Sequence, residues 1–109
     1  MTTPNSLTER RLGPADQLGE GSVNPYYLDD RKWRVSVARV DGKLYAFDDL
    51  CTYEACPLSA GMLTGTTILC QCHGCRYNIT DGSVLNGPAV RPLGTYRVDE
   101  TDGVIVISA

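Results

Sequence analysis

Apolar residues alternate with polar ones at the start of Trp33-Arg34-Val35-Ser36-Val37, the period of a half-buried strand. The pattern predicts a strand running on to Val40. Asp41-Gly42 follows, two residues that tolerate positive φ, so it reads as a hairpin turn. Lys43-Leu44-Tyr45-Ala46-Phe47 then returns as the second strand. The same grammar recurs later in the chain. Thr66–Cys70 reads as a short strand, Arg76–Ile79 as another, and Thr80–Ser83 as a turn into Val84-Leu85. Gly87-Pro88-Ala89 breaks the pattern. Thr95–Val98, the turn at Asp102-Gly103 and Val104–Ile107 form a last hairpin. No segment of useful length has a helical period. The expected fold is an antiparallel all-β domain of short strands. Residues 1–11 carry no apolar period and read as a flexible N-terminal tail. Residues 12–109 then form a single domain, without repeat or linker.

The charge balance narrows the function classes. The 109 residues carry a net charge of −3, with 42% hydrophobic and 21% charged residues. That is a soluble globular composition, and it lacks the basic surface a nucleic-acid partner demands. No run approaches the ~20 apolar residues of a membrane span. Arg10-Arg11 is followed by Leu12-Gly13-Pro14-Ala15 and not by the apolar stretch of an export signal. The cytoplasm is therefore the expected compartment. The five cysteines are an odd set gathered into two loops, Cys51-Thr52-Tyr53-Glu54-Ala55-Cys56-Pro57 and Cys70-Gln71-Cys72-His73-Gly74-Cys75. In a reducing compartment such clustering points to metal before it points to a disulfide framework.

These loops resemble those of the Rieske ferredoxin family, which read C-x-H and C-x-x-H. Cys70-Gln71-Cys72-His73 matches the second in full; Cys51-Thr52-Tyr53 matches the first apart from its histidine. The likeness extends to Tyr45-Ala46-Phe47-Asp48-Asp49-Leu50, Pro57-Leu58-Ser59, Asp81-Gly82 and Gly87-Pro88-Ala89, and covers roughly residues 12–109. It implies a β-sandwich with a small two-loop cluster-binding subdomain over about 48–90. It also implies a 2Fe-2S cluster with two thiolates on one iron and two imidazoles on the other. Cys51 and Cys70 take the thiolate positions and His73 one imidazole position. The resemblance also implies a Cys56–Cys72 disulfide shielded between the loops, the alternative being two free buried thiols. Gly74 would admit the backbone close to the inorganic core, and Pro88 would belong to a lid over it. Cys75 stands where a subgroup of the family has a serine bonded to a bridging sulfide. Tyr77 matches a tyrosine bonded to a ligand sulfur, or is a plain core aromatic.

The chain has one histidine, so the two-imidazole set cannot be built. Three readings of Tyr53 stay open. Its phenolate ligates iron, although its oxygen lies farther along the side chain than the imidazole nitrogen it replaces. Another thiolate, with Cys75 the candidate, completes the set. Or no such cluster assembles, and the domain is a bare scaffold or holds one zinc on some of Cys51, Cys70, His73 and Cys75. The first two fit a small soluble one-electron carrier between a reductase and an oxygenase-type acceptor, itself transforming no substrate; the third fits an interaction module. Trp33 and Tyr26-Tyr27 are core packing or a docking face, and Asp48-Asp49 reads as a solvated strand end. No Ser-His-Asp set or phosphate-cradling glycine loop is present.

Overall fold

The computed structural model describes residues 9–28, 32–53, 55–72 and 74–108. Ten strands run in order: β1 Glu9–Pro14, β2 Val23–Leu28, β3 Trp33–Val40, β4 Lys43–Asp48, β5 Met62–Thr64, β6 Thr67–Leu69, β7 Arg76–Asn78, β8 Val84–Asn86, β9 Thr95–Thr101 and β10 Val104–Ser108. They form a six-stranded sheet in the order β1-β10-β9-β4-β3-β2 and a four-stranded sheet in the order β5-β6-β7-β8. Every pairing is antiparallel. Two 3-10 turns, Ala15–Gln17 and Leu58–Ala60, are the only helical pieces among the described residues. None is long or apolar enough to cross a membrane.

The hairpin turns form as their residues dictate. Asp41 and Gly42 have φ of 53° and 77°, and Asp102 and Gly103 repeat this at 52° and 76°, the double positive φ of a tight hairpin. The carboxylate of Glu20 accepts the Asp41 and Gly42 N–H groups at 2.6 and 3.0 Å. Those backbone donors, Gly42 first, hold its carboxyl below the usual range.

Alternation in β3 predicted one buried face, yet both are covered. Val35 and Val37 pack with Ala46, Ile105 and Ile107 in one core. Ala38 and Val40 pack on the other side with Phe47, Leu58, Ile68 and Tyr77. Small Ser36 and Ala38 let the second core approach, which is why residues 35–38 are all buried. The hairpin is thus the wall between the two cores, and β4 leads directly into Cys51.

Three strands lack a sequence signal. β1 begins at Glu9, so residues 9–11 of the expected tail belong to the sheet; residues 1–8 lie outside the described residues. β1 is an edge strand held by its ladder to β10, and backbone pairing needs no apolar alternation. β2 carries Pro25 inside its run, which sequence rules admit only on an edge, and an edge is where it lies. β5 has only three residues.

Candidate metal centre

The two cysteine loops are closed in the same way. In the first, Cys51 N–H donates to Cys56 O at 2.9 Å and Ala55 N–H to Cys51 O at 2.8 Å. In the second, Cys70 N–H donates to Cys75 O at 2.8 Å and Gly74 N–H to Cys70 O at 3.1 Å. Ala55 and Gly74 hold the equivalent left-handed residues, φ 56° and 74°. Glycine suits that conformation at position 74, whereas alanine at 55 carries a strain of about 1 kcal/mol. Cys51 thus corresponds to Cys70, and Cys56 to Cys75.

A disulfide joins Cys56 to Cys72 across the loops, with a Cα–Cα distance of 6.4 Å. The link is less shielded than the resemblance implied: Cys72 is exposed and Cys56 half-buried. The Sγ atoms of Cys56, Cys70 and Cys72 lie within 4.8 Å of one another. Two of these are oxidised to the bridge, so the grouping sets the disulfide against Cys70 and is not a ligand trio. Cys51, Cys70 and Cys75 remain thiols, and all three are buried.

Tyr77 is fully buried, and its hydroxyl lies 3.1 Å from Cys51 Sγ and 3.0 Å from Thr52 Oγ1, while accepting Thr52 N–H at 3.2 Å. Thr52 in turn donates its hydroxyl to Arg91 O at 2.7 Å. The first loop is therefore pinned from below by the β7 aromatic and from the side by residue 91. Burial, then the contact with Cys51, pushes the Tyr77 phenol up to about 12 from its ordinary 10. A raised acid pKa favours the neutral form, so the stabilisation is present below pH 10 and lost as pH rises towards about 12. Melting temperatures across that window are expected to fall more steeply for the parent than for Tyr77→Phe; equal slopes would count against this reading.

Cys75 is wholly buried. Burial raises its pKa, the N–H of Ala89 opposes that by donating to the sulfur, and the neighbouring Cys51 and Cys70 raise it further. Tyr53, by contrast, is 48% exposed. It lines an open groove of about 620 Å³ with Trp33, Asp48, Arg91 and Pro92. Pro88 sits exposed in the segment before buried Ala89. His73 lies outside the described residues.

Sequence reasoning missed the carboxylates beneath the first loop. Asp49 is completely buried, not a solvated strand end. Its Oδ1 accepts Ser36 Oγ–H at 2.6 Å and Ser59 N–H at 2.8 Å. Among the described residues, its Oδ2 makes an ion contact with the Arg34 guanidinium at 2.6 Å without hydrogen-bond alignment. Asp48 accepts from Trp33 Nε1–H at 2.7 Å, from Gly94 N–H at 3.1 Å and from the Tyr96 hydroxyl. Both anchor the chain just before Cys51. The usable signal was the paired acids at the end of an apolar strand, with Ser36, Arg34 and Trp33 facing them across the hairpin register.

Two thiols thus lie buried at corresponding positions of two similarly closed loops, one of them against a buried phenol, with a disulfide joining the loops. Residues 9–97 match the Rieske 2Fe-2S domain family, and the chain belongs to that family. It is 35% identical over 102 residues to the cytochrome b6-f complex iron-sulfur subunit of Chlorobaculum tepidum, covering 94% of this chain and 54% of that one. The chain therefore spans about half of that subunit's length. It is 32% identical to the ferredoxin component of the naphthalene 1,2-dioxygenase/salicylate 5-hydroxylase systems of a Ralstonia species, over 76% of this chain and 78% of that one. A solved complex of reduced oxygenase and oxidised ferredoxin of carbazole 1,9a-dioxygenase contains a chain that superposes with a TM-score of 0.85 at 27% identity, covering 92% of both.

The donor chemistry fits a 2Fe-2S cluster on its thiolate side. Cys51 and Cys70 are unoxidised, buried and similarly held. The imidazole side is short by one residue, since the sequence holds a single histidine.

Proposed function

We infer that this chain is a small one-electron carrier of the Rieske ferredoxin type, acting between a reductase and an oxygenase-type acceptor in the cytoplasm. The observation that carries the reading is the pair of equivalent loops that bury Cys51 and Cys70 beside a cross-loop disulfide. A bound 2Fe-2S cluster supplies one reversible electron. Cys51 and Cys70 would hold one iron and His73 the other. The chain's own contribution is positional and electrostatic. Tyr77 directs its hydroxyl at Cys51 Sγ, a second-sphere contact of the kind that tunes a cluster. Thr52 fixes the loop through Tyr77 and Arg91. Ala89 and the segment around Pro88 cover the second loop and keep water from Cys75.

The test is iron, acid-labile sulfide and zinc per chain in freshly purified anaerobic protein, with its absorption before and after dithionite. Iron and sulfide in equal amounts with a visible band bleached on reduction are expected. A chain with no iron, whether loaded with zinc or bare, overturns the carrier reading in favour of an interaction module.

A further inference from the structure

We propose that Asn86 is a self-modifying site: its side-chain amide is lost to attack by the Gly87 nitrogen, and the isoaspartyl product releases segment 87–89 from the second cysteine loop. The reaction needs only water and the chain itself, whether or not the loops hold a cluster.

Three asparagines lie among the described residues, and their surroundings separate them. Asn24 precedes Pro25, whose ring nitrogen has no N–H to give up. Asn78 precedes buried, β-branched Ile79, whose N–H donates to Thr66 O at 2.9 Å. The side-chain oxygen of Asn78 is itself taken by Thr80 N–H at 3.0 Å. Asn86 precedes a glycine. Gly87 N–H donates to Asn86 Oδ1 at 2.7 Å, so the nitrogen already lies against the amide whose carbon it attacks. Both residues are exposed, and residue 87 has no Cβ to obstruct the approach. The pairs Asp41-Gly42 and Asp81-Gly82 differ. There the glycine N–H groups are held elsewhere, by Glu20 at 3.0 Å and by Asn78 O at 2.7 Å, and an ionised carboxylate repels a nucleophile.

The Gly87 nitrogen yields its proton to solvent hydroxide and bonds to Asn86 Cγ. The Cγ–Nδ2 bond breaks, and the leaving nitrogen takes a proton from water and departs as ammonia. Water then opens the cyclic imide at Cγ to give aspartate, or at the main-chain carbonyl carbon to give isoaspartate. No electron is transferred. In isoaspartate the main chain runs through Cβ and Cγ, so it is longer just before Gly87 and bears a carboxylate there. The segment that follows is closely packed. A Cβ at Gly87 would stand 2.6 Å from Cys75 Cα, and Ala89 N–H donates to the Cys75 sulfur. Close packing registers even one added methylene, and the longer chain shifts both contacts out of register.

Ageing the protein in warm, mildly alkaline buffer tests this, read by peptide mass spectrometry with fragmentation that tells aspartyl from isoaspartyl residues. Residue 86 is expected to change from amide to acid, with isoaspartate among the products, while Asn24 and Asn78 keep their amides. The Ala89 amide is expected to exchange faster in the isoaspartyl fraction than in fresh protein. Asn86→Gln, whose longer side chain disfavours ring closure, is expected to age without change in either readout. Fresh Asn86→Asp supplies the acid on an ordinary main chain and is expected to keep the parental protection of Ala89. An aged parent with residue 86 still an amide, or with Asn78 converted as fast, overturns the assignment. So does an isoaspartyl fraction in which Ala89 exchanges at the fresh rate, or an Asn86→Asp variant that already exchanges as fast. Iron content enters none of these readouts, so the carrier reading stands or falls separately.

Discussion

Gly87→Ala is expected to lift the Pro88 segment from the second cysteine loop and to destabilise the protein by about 3 kcal/mol. Gly87 has φ +99°, and a Cβ there would stand 2.6 Å from Cys75 Cα and 3.0 Å from its nitrogen. Both atoms belong to backbone already committed to the Cys70 N–H to Cys75 O closure, so neither yields cheaply. Left-handed strain of about 1–2 kcal/mol adds to an overlap costing ~1–3 kcal/mol. Gly65→Ala is the control: its φ is +57° and nothing lies within 4 Å of the added carbon, so only the strain of roughly 1 kcal/mol applies. Urea midpoints of the two variants should differ accordingly. The Ala89 amide, which donates to Cys75, should exchange faster in Gly87→Ala alone. Equal midpoints would show that the segment is not packed as described.

Opening the Cys56–Cys72 bridge should have a comparable effect. Its sequence separation is 16, and closing a loop of about that length restricts the unfolded chain by roughly 3 kcal/mol. Exposed Cys72 gives a thiol reductant a point of attack. Unfolding in urea with and without dithiothreitol is expected to show that loss in the parent and none in a Cys56→Ser/Cys72→Ser variant. The same reduction frees the first loop from the second, leaving Tyr77 and Thr52 as its anchors. A parent whose midpoint is indifferent to reductant would mean that the loops are held by packing alone.

The legible parts of the fold were those in which local chemistry leaves one answer. Asp41-Gly42 and Asp102-Gly103 stand at the two hairpin turns because few residues take two successive positive φ values. The second loop and the Cys56–Cys72 pair were readable through resemblance, since their spacing is distinctive. The edge strands β1 and β2 were not, because the side chains of Arg10, Arg11 or Pro25 do not announce a backbone ladder. Asp49 was misread for a related reason. A carboxylate looks like surface until the hairpin register sets Ser36 and Arg34 beside it, and that register is a long-range fact. Thr52 and Ala89 touch the site through a hydroxyl and an N–H, groups too common to carry a signal.

The eight buried residues that line one side of the hairpin wall, from Ala15 to Ile107, include no cysteine. All the reactive chemistry lies on the opposite side, with Cys51, Cys70 and Cys75. Oxidation of Cys51, Cys70 or Cys75 would therefore strike one core, while the other contains none of these thiols.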